Sequence, residues 1–221
     1  MQLPDRARYD ADCLAADQLL LRQVGPRGRR HAPVPGPPLV VGCETEASRV
    51  QIFTLGWVPG LLQTAEYARA LFAAAPVRRT EDEIANEVAV RMIRQQRLSS
   101  TEDPLELVAV IDETVLYRPV GGPAVLAAQL RQLAEAATLD TVTLLVLPAA
   151  VGAHAALASG LTVLNFGDLD EPDIAHVEHA LGALMLDKED DVTRARLTLD
   201  RVRADALDPA ESLALVRRLV E

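Results

Sequence analysis

The sequence predicts an α+β or α/β fold: a single domain with a mixed central sheet and helices packed on it. Apolar runs of strand length recur in mid-chain, LVAVI at 107–111, TVTLLVL at 141–147 and LTVLNF at 161–166. The first two are as continuous as strands covered on both faces. Amphipathic helical stripes with start signals lie between and after them. Hydrophobic residues make up 49% of the 221, but there are only three Phe, three Tyr and one Trp, so the core is mainly Leu, Val and Ala.

In chain order, Asp12 to Val24 has helical periodicity through Leu14, Leu19 and Leu21. GPRGRRHAPVPGPP at 25–38 then reads as a linker or surface loop, with Arg27, Arg29 and Arg30 clustered in it. The expected division is therefore 1–38, an N-terminal helix and Pro/Gly/Arg-rich linker, and 39–221, the globular ligand- or partner-binding domain. A strand over Val50–Val58 leads into the Pro59-Gly60 turn. Thr64 suits an N-cap, Glu66 suits the first turn, and Tyr67, Ala68, Leu71 and Phe72 share one helical face.

Thr80 and Glu83 form a capping box for a second helix reaching about Leu98. The apolar run Leu107–Ile111 is a strand. Gly121-Gly122-Pro123 places proline at the first position of a third helix, with a stripe through Leu126, Leu130, Leu133 and Ala137. Thr141–Leu147 is a strand stopped by Pro148, and Leu161–Phe166 is another. Ile174–Glu178 and Leu184–Leu186 suggest a hairpin around Leu181-Gly182. Val192, Ala195, Leu199, Val202 and Ala206 mark a long amphipathic helix, and DPAE at 208–211 opens the last one with a second capping box.

The formal net charge of −10 disfavours direct nucleic-acid binding, which needs clustered cations. Cys13 and Cys43 lack zinc-site spacing, and no apolar run is long enough to span a membrane. These observations lead to the expectation of a cytoplasmic protein with no cofactor and no metal. GxGxxG, P-loop, GxSxG and HExxH motifs are not found. HVEH at 176–179 reads as a strand, where residues three apart diverge, so it is a poor chelator. The acids from Asp168 to Asp173 read as a solvated loop without the pattern of a calcium loop.

The second helix carries the most informative polar residues. At about 100° per residue, Ile84, Val88, Arg91, Gln95 and Leu98 fall within roughly 40° of one line. Arg91 and Gln95 therefore sit inside an apolar stripe, Arg94 at its edge and Arg97 on the outer face. A guanidinium in that stripe needs an acid or a ligand, and Asp112, Glu113 and Glu46 are the acids considered. His154, in the small-residue loop GAHAALASG, is either solvated or a donor at a pocket mouth.

VPGLLQTAEYARALF, VAVRMIRQQRL at 88–98, VIDETVLYRPVGG at 110–122, QLRQL at 129–133 and LLVLPAAVGAH at 144–154 occur in that order. Together they resemble the domain of unknown function that follows an Xre-type helix-turn-helix in actinobacterial antitoxin-like regulators of the WhiJ type. The resemblance covers mainly residues 44–166. It maps the family's polar positions onto Glu46, Gln63, Thr64, Arg91, Arg94, Gln95, Glu113, Gln129 and His154. Leu161 stands where the family tends to have an aromatic. The first 43 residues are too short and too rich in proline and glycine for the family's DNA-binding half.

The expected function is a stand-alone sensor domain that binds a small hydrophobic molecule or a small BldB-like partner protein without touching DNA. The alternatives are a natural-product biosynthetic enzyme, a cyclase or rearrangement catalyst acting in an apolar pocket, and a structural homodimerisation module with its seam on the helix from Val192. The expected ligand-binding residues are Trp57, Leu61, Leu62, Gln63, Arg91, Gln95, Glu113 and His154, converging on one concavity.

Overall fold

A computed structural model describes residues 43–75, 78–167, 171–179 and 182–220. The domain expected at 1–38 lies outside the described residues, as do Leu181 and Asp168 to Asp170 of the acidic segment.

The apolar runs are strands of one mixed sheet, as predicted. Its strands are β1 (Arg49–Thr54), β2 (Glu106–Asp112), β3 (Val142–Leu147), β4 (Leu161–Asn165), β5 (Ile174–His179) and β6 (Gly182–Leu186), in the order β3-β2-β1-β4-β5-β6. β1, β2 and β3 run parallel, while β4, β5 and β6 continue antiparallel from the other side of β1. The parallel half needs long connections, and helices supply them. α1 (Ala65–Ala74) and α2 (Glu81–Gln95) link β1 to β2, and α3 (Pro123–Ala136) links β2 to β3. α4 (Glu189–Asp205) and α5 (Pro209–Arg218) close the chain. The result is α+β, a single domain.

Helix starts follow local chemistry. Thr64 accepts from Tyr67 N, and Thr80 with Glu83 and Asp208 with Glu211 form complete capping boxes. Gly122, at φ 96°, sits in a region open to glycine and directs Pro123 into the first turn of α3.

Two boundaries differ from expectation. The first strand stops at Thr54, because residues 55–57 bend around Gly56 ahead of Pro59. The second helix is α-helical only to Gln95 and continues as a 3-10 turn over Gln96–Ser99. The tighter winding rotates Arg97 off the face assigned by a 3.6-residue period. Arg97 does not face outward: its Nη1 donates to Glu44 O and Thr45 O at 3.0 and 2.9 Å, and it pairs with Asp103.

The two faces of the sheet are covered differently. Val192, Ala195, Leu199 and Val202 of α4 pack on Phe53, Val110, Leu145, Val163 and Ala175. That stripe, the expected dimer seam, is spent on the chain's own sheet. On the opposite face, α3 and α5 pack over β2 and β3 through Leu130, Leu133 and Val216. The C-terminal segment also meets β3, an edge strand. Leu207 N donates to Val146 O, and Val146 N donates to Ser212 Oγ, each at 2.9 Å. Among the described residues no helix is long and apolar enough to cross a membrane.

Candidate functional site

The corner from Trp57 to Thr64 is a 3-10 turn, Gly60–Leu62, whose backbone is tied down by side chains from three elements. Val58 N donates to the Tyr67 hydroxyl, and Gln63 Nε2 donates back to Val58 O at 2.6 Å. From α2, Gln95 Nε2 donates to Gly60 O and Gln63 O at 3.0 and 2.8 Å. From α3, the fully buried Gln129 donates to Leu62 O at 2.7 Å and accepts from Thr64 N at 2.8 Å. A turn buried among leucines has backbone groups that water cannot reach, and the glutamine amides satisfy them. Leu61 and Leu62 point inward as core residues.

One acceptor of this corner is left for α2. Gln63 Oε1 accepts from Arg91 Nη1 at 2.5 Å. The Arg91 guanidinium lies over the Phe72 ring, 4.5 Å from its centroid, and a Cβ added at Gly60 would stand 3.5 Å from Arg91 Nε. An amide, an aromatic face and a bare backbone therefore hold the cation in place. No carboxylate comes within 4 Å of it among the described residues.

Arg91 overlooks a cavity of 770 Å³ between the sheet and the α1–α2 pair. This is the size range of small-molecule pockets. Its apolar walls include Val50, Ile52, Leu61, Leu71, Phe72 and Trp57, the last 42% exposed at the rim. The floor is polar where β1, β4 and β5 run side by side. Thr162 pairs with Ile52 on one side and His176 on the other, and Glu178 follows two residues later on the same strand. Thr54 Oγ1 and His176 Nε2 are buried without a hydrogen-bond partner.

Electrostatics follow from this enclosure. Burial pushes the Arg91 guanidinium down to about 10, helped by repulsion from Arg94; Glu44, Glu178 and Glu87 pull it back up. It remains a cation at neutral pH. Burial pushes His176 down to about 4, so its imidazole is neutral. Glu178 keeps accessible area because it opens into the cavity, yet the surrounding protein raises its pKa, with Arg91 opposing the rise. The other two guanidiniums of the wall are already matched. Arg94 pairs with the buried Glu44 through both carboxylate oxygens, and Arg79 Nε pairs with Glu87 at 2.9 Å.

Of the expected ligand-binding residues, Trp57, Leu61, Gln63 and Arg91 line this cavity. Leu62 is in the core and Gln95 lies behind the turn, so both support the wall without lining it. Glu113 does not join them. It opens the 3-10 turn Glu113–Tyr117 that follows β2, on the β3 side of the sheet, where its carboxylate accepts from Ala149 N at 2.9 Å and from the Tyr117 hydroxyl. His154 also lies elsewhere. β2 and β3 run parallel as expected, but the loop after β3 turns under the α4-covered face, where His154 packs edge-on against Phe53 with centroids 5.3 Å apart. The acid that binds in the second helix's neighbourhood is Glu44, not Glu46, and its partner is Arg94.

Thr54, Thr162, His176 and Glu178 were missed by sequence reasoning. Alternation along β5 was the available signal: Ala175 and Val177 face one side, and His176 and Glu178 the other. HVEH is a strand, and no three His, Cys, Asp or Glu side chains gather as a metal site among the described residues.

Residues 38–218 match the family model described as Domain of unknown function (DUF5753), and the chain belongs to that family. No curated protein and no solved structure matches the chain.

Proposed function

We propose, with membership of that family as the premise, that the chain is a regulator-type sensor domain that holds a small, largely apolar molecule between its sheet and the α1–α2 pair. One observation carries this reading. The 770 Å³ cavity is apolar-walled, yet buries the unpartnered Thr54 Oγ1 and His176 Nε2. Folding gains nothing from such atoms, since each costs about 1–3 kcal/mol when left unsatisfied. A bound molecule with polar groups offsets that cost. The resemblance to WhiJ-type regulators supports a sensor that signals to a protein, with a small BldB-like protein as the natural partner class. The net charge of −10 supports signalling without direct contact with DNA.

Native mass spectrometry of the purified protein tests the reading. The expected result is an adduct of small-molecule mass that is lost on denaturation and weakened by Ile52→Trp, which fills the cavity. A protein that carries no adduct and gains no thermal stability from any member of a small-molecule library would sink it.

A second reading is favoured by one feature, the carboxyl of Glu178 on the cavity side of β5 beside His176, with its pKa raised by desolvation. A carboxyl with a raised pKa is suited to proton transfer, which fits a cyclase or rearrangement enzyme. Conversion of the co-purified molecule by wild type, and its loss with retained binding in Glu178→Gln, would select this reading over simple sensing.

A further inference from the structure

We infer that the molecule held in this cavity is an amphipathic monocarboxylic acid whose carboxylate docks on Arg91; the inference rests on the ligand-binding reading above. Arg91 is the cation of the cavity wall left without an acid among the described residues. Arg94 is spent on Glu44 and Arg79 on Glu87. Of the five N–H donors of a guanidinium, one goes to Gln63 Oε1. The rest have no hydrogen-bond partner among the described residues, although the group is fixed against Phe72 and Gly60. A planar donor fork that is already immobilised gives up little rotamer entropy when it binds a planar carboxylate.

The remaining groups narrow the choice to a single negative charge. Glu178, the other cavity carboxylate without a partner, does not come within 4 Å of a described Lys, Arg or His nitrogen in an ion pair. A dianionic phosphate beside it would meet repulsion, with one unspent guanidinium to compensate. A monocarboxylate matches Arg91 one to one. Its body then runs along Val50, Ile52 and Leu71, and a hydroxyl or amine on it can donate to Glu178.

Isothermal titration calorimetry with matched ligands tests this. Octanoate and 4-phenylbutanoate are compared with their primary amides and with octyl phosphate, alongside identification of any co-purified molecule. Each acid should bind at least about tenfold tighter than its amide, the effect of a charge-assisted contact worth about 1.4 kcal/mol. That preference should vanish in Arg91→Gln, persist in part in Arg91→Lys, and be unchanged in Arg69→Gln, an exposed arginine on α1. Far-ultraviolet circular dichroism checks that Arg91→Gln is folded, and Arg91→Lys carries the test if it is not. Equal binding of acid and amide, tighter binding of the phosphate, or a co-purified neutral molecule overturns the carboxylate inference and leaves the cavity reading standing. A co-purified carboxylic acid supports the inference even if neither probe binds. Failure of every probe with nothing co-purified overturns both.

Discussion

Adjacent residues of β1 look into opposite worlds. Phe53 faces α4 and is fully buried in a mostly aliphatic layer, with the His154 ring edge-on against it. Ile52 and Thr54 face the cavity, beside Thr162 and His176. The same alternation runs through β4 and β5, where Val163 and Ala175 lie on the α4 side and Thr162, His176 and Glu178 on the other. On the cavity side the polar groups line open space, whereas on the α4 side the one imidazole described there, His154, is packed against Phe53 with both ring nitrogens buried and unpartnered. The α4 face is organised for stability. The α1–α2 face retains unpartnered polar groups beside open space, as the proposed binding surface requires.

The largest expected difference is between Phe53→Ala and Ile52→Ala. Phe53→Ala removes a ring from a filled layer and should cost about 3–5 kcal/mol. Ile52→Ala enlarges a space that is already open and should cost clearly less, about 1–2 kcal/mol. Urea denaturation of the two variants decides it; equal losses would erase the contrast between the faces.

A smaller effect concerns pH. The unfolded His176 takes up a proton near 6.5, whereas the native one stays neutral down to about 4. Native stability from this group is therefore full above pH 6.5 and falls as the pH drops towards 4. The loss is of the order of 3 kcal/mol for the shift concerned. Glu178, with its raised pKa, works in the opposite direction over the carboxylate range. Comparing stability at pH 7 and pH 4 for wild type and His176→Gln isolates the histidine, and the variant should lose less. The same fall in both proteins would mean that His176 is not desolvated.

Smallest of all, Thr54→Val should leave stability unchanged within about 0.5 kcal/mol or raise it slightly, because the lost hydroxyl has no partner. It should, however, weaken the cavity adduct seen by native mass spectrometry. A loss above 1 kcal/mol in the empty protein would show that the hydroxyl serves the fold.

The contrast also explains what could be read from the chain. Strand and helix identities were legible because the relevant forces are local: apolar continuity at 141–147, the Thr80–Glu83 and Asp208–Glu211 boxes, and Pro123 after two glycines. Arg91 stood out because a cation inside an apolar stripe is a local anomaly. Its amide partner was legible too, since the Pro59-Gly60 corner brings Gln63 up to the same stripe, whereas the acid expected there, Glu113, is held elsewhere by Ala149 N. The polar floor was hidden for a different reason. His176 reaches Thr162, and Thr162 reaches Ile52, only through an antiparallel register set by long-range pairing. His154 was misplaced because strand direction locates the end of the sheet but not the side on which the next loop folds.

The contacts of Val146 with Leu207 and Ser212 have a consequence for solubility. β3 is an outer strand of sequence VTLLVL, uncharged and rich in branched side chains, the kind of segment that pairs with copies of itself in fibrils. Nothing in its own sequence discourages that, because it carries no lysine, proline or bulge. The guard is supplied from elsewhere: the backbone of Leu207 and the hydroxyl of Ser212 occupy the donor and acceptor that Val146 would otherwise offer to a second molecule. Trimming the chain before Leu207 should make the protein scatter light and bind thioflavin T on storage more than the full chain does, whereas Ser212→Ala, which frees one of the two groups, should do so more slowly.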